Sequence, residues 1–145
     1  MGLSVANIVA KFPVKTLPII TGEPDYASIG QIIQILYGNA AALPTPIGGG
    51  AHGHIGLIMT AVLYATLTPT AYLVPDDPGP VVTHAANATP ATRERNTITY
   101  KEARRIYDNN ANMDSALKTQ IIDAIEDTYL CELRNKYTGY LGVSA

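Results

Sequence analysis

Tryptophan is absent from this chain of 145 residues, and phenylalanine and cysteine occur once each. The single thiol, Cys131, excludes an internal disulfide framework and fits a reducing compartment. Basic charge is scarce too: a formal net charge of −2 argues against a dedicated nucleic-acid-binding domain. The longest apolar run, Ile55 to Leu67, is well short of the ~20 residues that span a bilayer. We therefore expect a soluble, cytoplasmic protein with no membrane partner.

Apolar content is ordinary, at 47% of residues, so the chain has enough hydrophobic side chains to form a core. Its length predicts one domain over residues 1–145. Nine tyrosines supply most of the aromatic side chains. Because tyrosine has an apolar ring and a polar tip, this excess is typical of core edges and of contact surfaces.

The first predicted helix runs from Asp25 to Gly38, with Thr21 or Gly22 near its N-cap and Asn39 at its stop. Four residues at helical spacing form its apolar stripe: Ile29, Ile32, Ile33 and Leu36. Residues 1–23, which precede this helix, are predicted to be extended. We expect them to include either a short strand or hairpin, or a strap across the core.

The rest of the chain predicts further helices. Thr60 is a predicted N-cap for a short helix from Ala61 to Leu67. A long Pro-rich loop over residues 72–90 follows. Next come a helix over 92–108, which Asn109 and Asn110 end, and another helix that Asn112 caps. A last helical segment ends near residue 135. The prediction is therefore a mostly all-α, compact bundle of about five helices.

Two of these helices carry stripes that fit either a core or a self-association face, and periodicity alone does not divide the two roles. One stripe lies on the first predicted helix and consists of Ile29, Ile32, Ile33 and Leu36. The other lies on the predicted helix that Asn112 caps and consists of Leu117, Ile121 and Ile125. These seven residues are the candidates for core or self-association faces.

Glycine and histidine cluster in one block, which holds Gly48, Gly49, Gly50, His52 and His54. No Lys follows the glycines, so a phosphate-binding P-loop is not indicated. Two alternating histidines can share a metal ion if further ligands approach, and His84 is the remaining histidine. The more economical interpretation is a structural turn, in which the glycines bend the chain and the imidazoles bond to loop backbone. We predict no cofactor and no catalytic residue.

Positive charge is concentrated on the predicted helix that follows the loop, at Arg93, Arg95, Arg104 and Arg105. These four arginines are the candidates for RNA contact. Acidic residues alternate with them along the same helix, and pairing at helical spacing accounts for much of the pattern.

The order of these motifs resembles a known family. Gly22-Glu23-Pro24 precedes the first helix, Gly48 to Leu57 form the glycine–histidine block, and Ile121 to Glu126 is followed by Tyr129-Leu130 and Leu133-Arg134-Asn135. Together they resemble the N-terminal part of the Gag-like polyprotein of copia-type LTR retrotransposons. The resemblance covers roughly Ile19 to Val143.

The resemblance implies the α-helical N-terminal domain of a retroviral-type capsid protein, which assembles with copies of itself into a virus-like particle enclosing the element's RNA. Its partners would be itself, in a capsid lattice, and a capsid C-terminal domain that follows. RNA would be bound weakly or by other parts of the polyprotein. Ser144-Ala145 reads as an N-cap and a first helical residue, so we expect the chain to be a fragment of that longer polyprotein.

Two alternatives stay open at this point. One is a metal-dependent enzyme that uses His52, His54 and His84. The other is a host-domesticated interaction adaptor, derived from Gag and sharing the same fold.

Overall fold

A computed structural model describes residues 3–125 of the chain. Over that range the protein is mostly helical with almost no strand, so the all-α prediction is confirmed at the level of fold class. The described residues form four α-helices, where the sequence predicted about five: α1 (Val5–Ala10), α2 (Tyr26–Ala41), α3 (Ala61–Ala65) and α4 (Pro90–Ala124). The predicted segment ending near residue 135, Cys131 and the Ser144-Ala145 cap lie outside the described residues.

Helix α2 begins at Tyr26, and its N-cap is Asp25, so the predicted caps at Thr21 or Gly22 are wrong. The Asp25 carboxylate accepts a hydrogen bond from the Ser28 N–H at 2.7 Å, while the Ser28 hydroxyl oxygen accepts one from the Asp25 N–H at 3.0 Å. This reciprocal capping box satisfies amides that the first turn leaves free.

The predicted stop at Gly38 and Asn39 is also wrong, since α2 continues to Ala41. Asn39 is fully buried and donates from Nδ2 to the Val14 carbonyl at 2.8 Å and to the Gln120 side chain at 3.0 Å. Its Oδ1 accepts from the Val14 N–H at 3.1 Å. Because these bonds occupy the amide, it does not compete with the helix backbone. Asn39 thereby joins α2 to α4 and to the N-terminal segment.

Helix α4 is one uninterrupted helix of 35 residues, capped by Thr89 and started by Pro90. The predicted break at Asn109 and Asn110 is wrong, and Asn112 caps nothing. Asn109 accepts a hydrogen bond from the Leu3 N–H at 2.7 Å, and Asn112 donates one to the Leu3 carbonyl at 2.7 Å. These side chains look like helix-end signals in the sequence, but in the fold they bind the N-terminal segment.

The N-terminal segment contains a helix that the sequence did not predict, α1, which Ser4 caps. Ile8 on this helix is fully buried. The described residues contain no strand or hairpin here, only one isolated parallel bridge between Ile20 and Ile125. Leu17 and Ile20 are buried, so the segment after α1 lies as a strap across the core.

The core lies among α1, the strap, α2 and the C-terminal half of α4. Twelve buried apolar side chains form it: Ile8, Phe12, Leu17, Ile20, Ile32, Leu36, Ala40, Leu43, Met113, Ala116, Leu117 and Ala124. Three other stripe residues pack against it while half-buried: Ile29, Ile121 and Ile125. Ile33 is half-buried as well. The predicted stripes therefore contribute to the core of a single copy.

The segment between α3 and α4 runs over residues 66–89, where the sequence predicted a Pro-rich loop over 72–90. Helix α3 ends at Ala65, before the predicted Leu67, and α4 begins at Pro90, before the predicted residue 92. The Pro-rich loop lies against the N-terminal half of α4 and is held by polar contacts. These join Tyr100 Oη to the Gly79 carbonyl at 2.8 Å, Arg104 to Asp77 at 2.7 Å, and Asn96 Nδ2 to His84 Nδ1 at 3.2 Å. The two halves of α4 thus have different neighbours.

Candidate functional site

The glycine–histidine loop, residues 47–54, connects the end of α2 to a 3₁₀ turn at Ile55–Leu57 that precedes α3. Gly48 has φ of 66° and Gly53 has φ of 56°, a region that other L-residues rarely adopt. A Cβ on Gly53 would lie 2.7 Å from the Ala41 carbonyl oxygen. A Cβ on Gly48 would overlap the Tyr64 hydroxyl. The bend therefore requires glycine at both positions.

His54 fixes this loop to the end of α2. Its ring is fully buried, its Nδ1 lies 2.9 Å from the Leu43 carbonyl oxygen, and its N–H donates to the Ala40 carbonyl at 2.9 Å. The Leu43 contact requires the proton on Nδ1, so Nε2 is the unprotonated nitrogen. Burial lowers the pKa of His54, although the Leu43 bond partly opposes that shift. The imidazole is neutral at pH 7.

The three histidines are not brought together. His54 is bonded to Leu43, His84 lies against Asn96 beside α4, and His52 is half-buried in the loop. Within residues 3–125 no three His, Cys, Asp or Glu side chains converge in a group that could hold a metal ion. The three-histidine site of the enzyme alternative is therefore not formed by this geometry.

Two tyrosines extend the loop's contacts to α4. The Gly49 N–H points to the Tyr64 hydroxyl at 3.4 Å, and the Tyr64 and Tyr72 rings meet edge to face with centroids 5.7 Å apart. The Tyr72 hydroxyl donates to Asn110 Oδ1 at 2.6 Å. Burial raises the pKa of Tyr72, so it stays a hydrogen-bond donor. This connection was not predicted from the sequence, where the excess of tyrosine was the available signal for it.

The arginines differ in how far they are already engaged. Arg104 lies 2.7 Å from Asp77 and 3.3 Å from Asp108, and its guanidinium lies 5.4 Å from the Tyr107 ring centroid. Arg105 is bonded to Glu102 at 2.6 Å.

The other two arginine candidates lie nearer the start of α4. Arg93 donates to the Ala88 carbonyl at 3.3 Å, and Arg95 is exposed. In the described structure, therefore, no carboxylate lies within salt-bridge distance of Arg93 or Arg95, in contrast to Arg104 and Arg105.

Helix α3 exposes most of its apolar surface. Tyr64 is buried, but Val62 is 79% exposed, Leu63 48% and Leu67, just after the helix, 40%. Of the apolar run from Ile55 to Leu67, Ile55, Leu57 and Ile58 pack against the core, whereas Val62, Leu63 and Leu67 are exposed. A helix of five residues presents only one side to the rest of the protein, and the ring of Tyr64 fills that side.

A shallow groove of about 350 Å³ lies beside α3. The residues that line it include Ala61, Tyr64 and Ala65 of α3 and Ala71, Tyr72 and Leu73 of the segment that follows. Leu73, which lines the groove, is 74% exposed, and its neighbour in sequence, Val74, is 61% exposed.

Comparison of the chain with protein-family models, with curated proteins and with solved structures found no match in any of the three. Each helix that the structure describes is too short or too polar to cross a bilayer. The assignment of a function therefore rests on this chain's own residues and their geometry.

Proposed function

We propose that this chain is the N-terminal, capsid-type domain of a Gag-like polyprotein of the copia-type LTR retrotransposon class. Its function is structural: copies associate into a virus-like shell around the element's RNA, and no substrate is turned over. Two of the motifs that carry the resemblance lie at joints of the helical fold. Gly22 to Pro24 directly precede the cap of α2, and Gly48 to Leu57 connect α2 with α3.

The observation that carries this proposal is that Gly48, Gly53 and His54 of the glycine–histidine loop make contacts within the fold itself. Gly48 and Gly53 hold the bend, and His54 is closed off from solvent with Nδ1 bonded to Leu43. A loop of this kind positions helices, and His52 is its one partly exposed titratable side chain. That supports a scaffold rather than an enzyme, in which titratable groups gather at an accessible cleft.

The charge distribution fits a domain that helps to enclose RNA in a shell rather than one that binds RNA directly. Arg104 and Arg105 are paired with carboxylates, which leaves only Arg93 and Arg95 of the four candidates unpaired among the described residues, and the net charge of the chain is −2. Binding to phosphate depends on free Lys and Arg that release counterions. The RNA would therefore be held chiefly by other parts of the polyprotein.

The proposal is tested by sedimentation velocity over a concentration series, with electron microscopy of the same samples. We expect the average mass to rise with concentration and regular sheets or closed particles to form. A chelator should leave both results unchanged, because the assembly needs no metal. One monomeric species at the highest soluble concentration, with no assemblies in the micrographs, would contradict the proposal.

A further inference from the structure

Two hydrogen bonds from His54 join the glycine–histidine loop to the end of α2, and we call this pair of bonds the latch. The His54 N–H donates to the Ala40 carbonyl, and Nδ1 donates to the Leu43 carbonyl, both at 2.9 Å. Ala40 lies in the last turn of α2, where a helix leaves carbonyl groups without partners, and Leu43 follows shortly after. Because one of the two bonds comes from the imidazole ring, the latch depends on the protonation state of that ring.

The loop that the latch holds has the geometry of a hinge. Gly48, Gly50 and Gly53 have φ of 66°, 77° and 56°, and glycine moves between such conformations and ordinary ones at little steric cost. None of the residues 47–54 belongs to the twelve buried side chains that form the core. The loop can therefore move away from α2 without breaking the contacts within that core.

Protonation of the ring conflicts with the closed latch. His54 Nε2 is buried and has no hydrogen-bond partner among the described residues, and the Nδ1 proton is already bonded to the Leu43 carbonyl. A proton on Nε2 would place a positive charge and a donor without an acceptor in the interior. In an open loop, water would solvate both.

The charges near the latch do not offset that cost. Burial lowers the pKa of His54 and the Leu43 bond partly opposes the shift, but no charged group of the described residues contributes to it. No Asp, Glu, Lys or Arg occurs in α2, the loop, the 3₁₀ turn or α3. The other titratable groups on these elements, on the segment after α3 and on the core half of α4 are Tyr26, Tyr37, His52, Tyr64, Tyr72, Asp114, Lys118 and Asp123.

We propose that protonation of His54 opens the latch, so that the glycine–histidine loop detaches from the end of α2 while the core stays folded. The open form takes up the proton at the ordinary imidazole pKa of 6.5, whereas the closed form takes it up only at lower pH. The closed form is therefore favoured above pH 6.5. Below that value each pH unit favours the open form by up to about tenfold, until the closed form is protonated too.

Hydrogen exchange of the full chain, followed by mass spectrometry, tests this proposal. Protection factors, which correct for the intrinsic exchange rate at each pH, are compared for peptides covering residues 47–58 and for those around Leu117. The loop should be less protected than Leu117 at every pH, because it opens without the core. Its protection should fall about tenfold between about pH 7.5 and about pH 5.5. Equal protection of the loop and Leu117 would overturn the proposal, because the loop would then open only with the whole domain.

A pair of variants assigns the effect to His54. His54→Asn keeps a donor for the Leu43 carbonyl but does not titrate, so its loop should lose no protection at low pH. His52→Asn is the matched control, since His52 is the other histidine of the same loop and is half-buried. It should lose protection as the unsubstituted chain does. The same pH response in His54→Asn as in the unsubstituted chain would overturn the role of His54.

Nuclear magnetic resonance of the unsubstituted chain keeps the test valid if His54→Asn does not fold. The carbon-bound ring protons of His54 should titrate with a midpoint below pH 6.5, and amide signals of the loop should change over the same range. A midpoint at or above pH 6.5 would overturn the latch, because the closed form would then accept the proton as readily as the open form.

Discussion

At the scale of single residues, His54 combines complete burial with a ring nitrogen, Nε2, that has no hydrogen-bond partner among the described residues. Its folded-state pKa lies below the ordinary value of 6.5, chiefly because burial disfavours the imidazolium. The unfolded chain therefore takes up a proton at higher pH than the folded chain does. It follows that the stability linked to His54 is complete above pH 6.5 and declines as the pH falls towards the folded pKa.

His54→Asn should remove this dependence, because asparagine does not titrate and its amide nitrogen can still donate to the Leu43 carbonyl. We expect the free energy of unfolding to fall less steeply for the variant than for the unsubstituted chain between about pH 8 and pH 5. Urea unfolding followed by circular dichroism measures both. His84→Asn is the control and should keep the steep dependence. Equal slopes in all three proteins would show that His54 titrates normally.

Gly48 gives a second residue-scale prediction. Gly48→Ala forces a side chain into φ of 66° and against the Tyr64 hydroxyl, so we expect a loss of about 1–3 kcal/mol in the free energy of unfolding. Gly38→Ala is the matched control, since Gly38 lies within α2 and a Cβ there meets nothing within 4 Å. That change should stabilise the chain by about 0.5–1 kcal/mol. Thermal unfolding separates the two, and changes of the same sign would contradict this account.

At the scale of elements, the contact of Tyr72 with Asn110 attaches the start of the Pro-rich loop to the middle of α4. Tyr72→Phe keeps the ring beside Gly56 and Tyr64 but leaves the buried Asn110 oxygen without this donor. We expect a loss of about 1–3 kcal/mol. Tyr26→Phe is the control, because Tyr26 is 97% exposed, and it should change stability by less than about 0.5 kcal/mol. Chemical denaturation measures both, and equal effects would refute the role given to Asn110.

Local chemistry explains which elements could be predicted. Thr60 caps α3 as expected, with its hydroxyl accepting from the Leu63 N–H at 3.3 Å, and the stripe with Ile32 and Leu36 identified the buried side of α2. Both signals lie within one or two helical turns, so no knowledge of distant segments is needed.

Distant contacts explain what could not be predicted. Asn39 and Asn109 look like helix stops, and Asn112 like an N-cap, because asparagine is a poor helix former whose side chain also caps helix ends. Each is instead bonded to a segment remote in sequence, Val14 or Leu3. The exposure of Val62 and Leu63 on α3 was missed in a similar way, because only the fold shows that Tyr64 is the residue of α3 that is buried.

At the scale of the whole molecule, the chain separates an uncharged region from a charged one. The stretch from Asp25 to Asp76 has no charged residue between its ends, whereas α4 carries both signs in surface pairs such as Arg105 with Glu102. Part of the uncharged region forms the core, with Ile32 and Leu36 buried there. If the chain is the proposed shell subunit, we expect the exposed remainder of that region to contact neighbouring copies and the charged part of α4 to face water.

The uneven support of α4 has a consequence for local unfolding. From Met113 onward this helix lies in the core, but Pro90 to Arg95 are all exposed. A helix end without buried apolar contacts opens without breaking the rest of the fold. Hydrogen exchange should therefore find amide protons near Ile98 exchanging through local fraying, and those near Leu117 exchanging only when the whole domain opens. Equal protection along α4 would mean that the Pro-rich loop stabilises the N-terminal half of the helix as strongly as the core stabilises the C-terminal half.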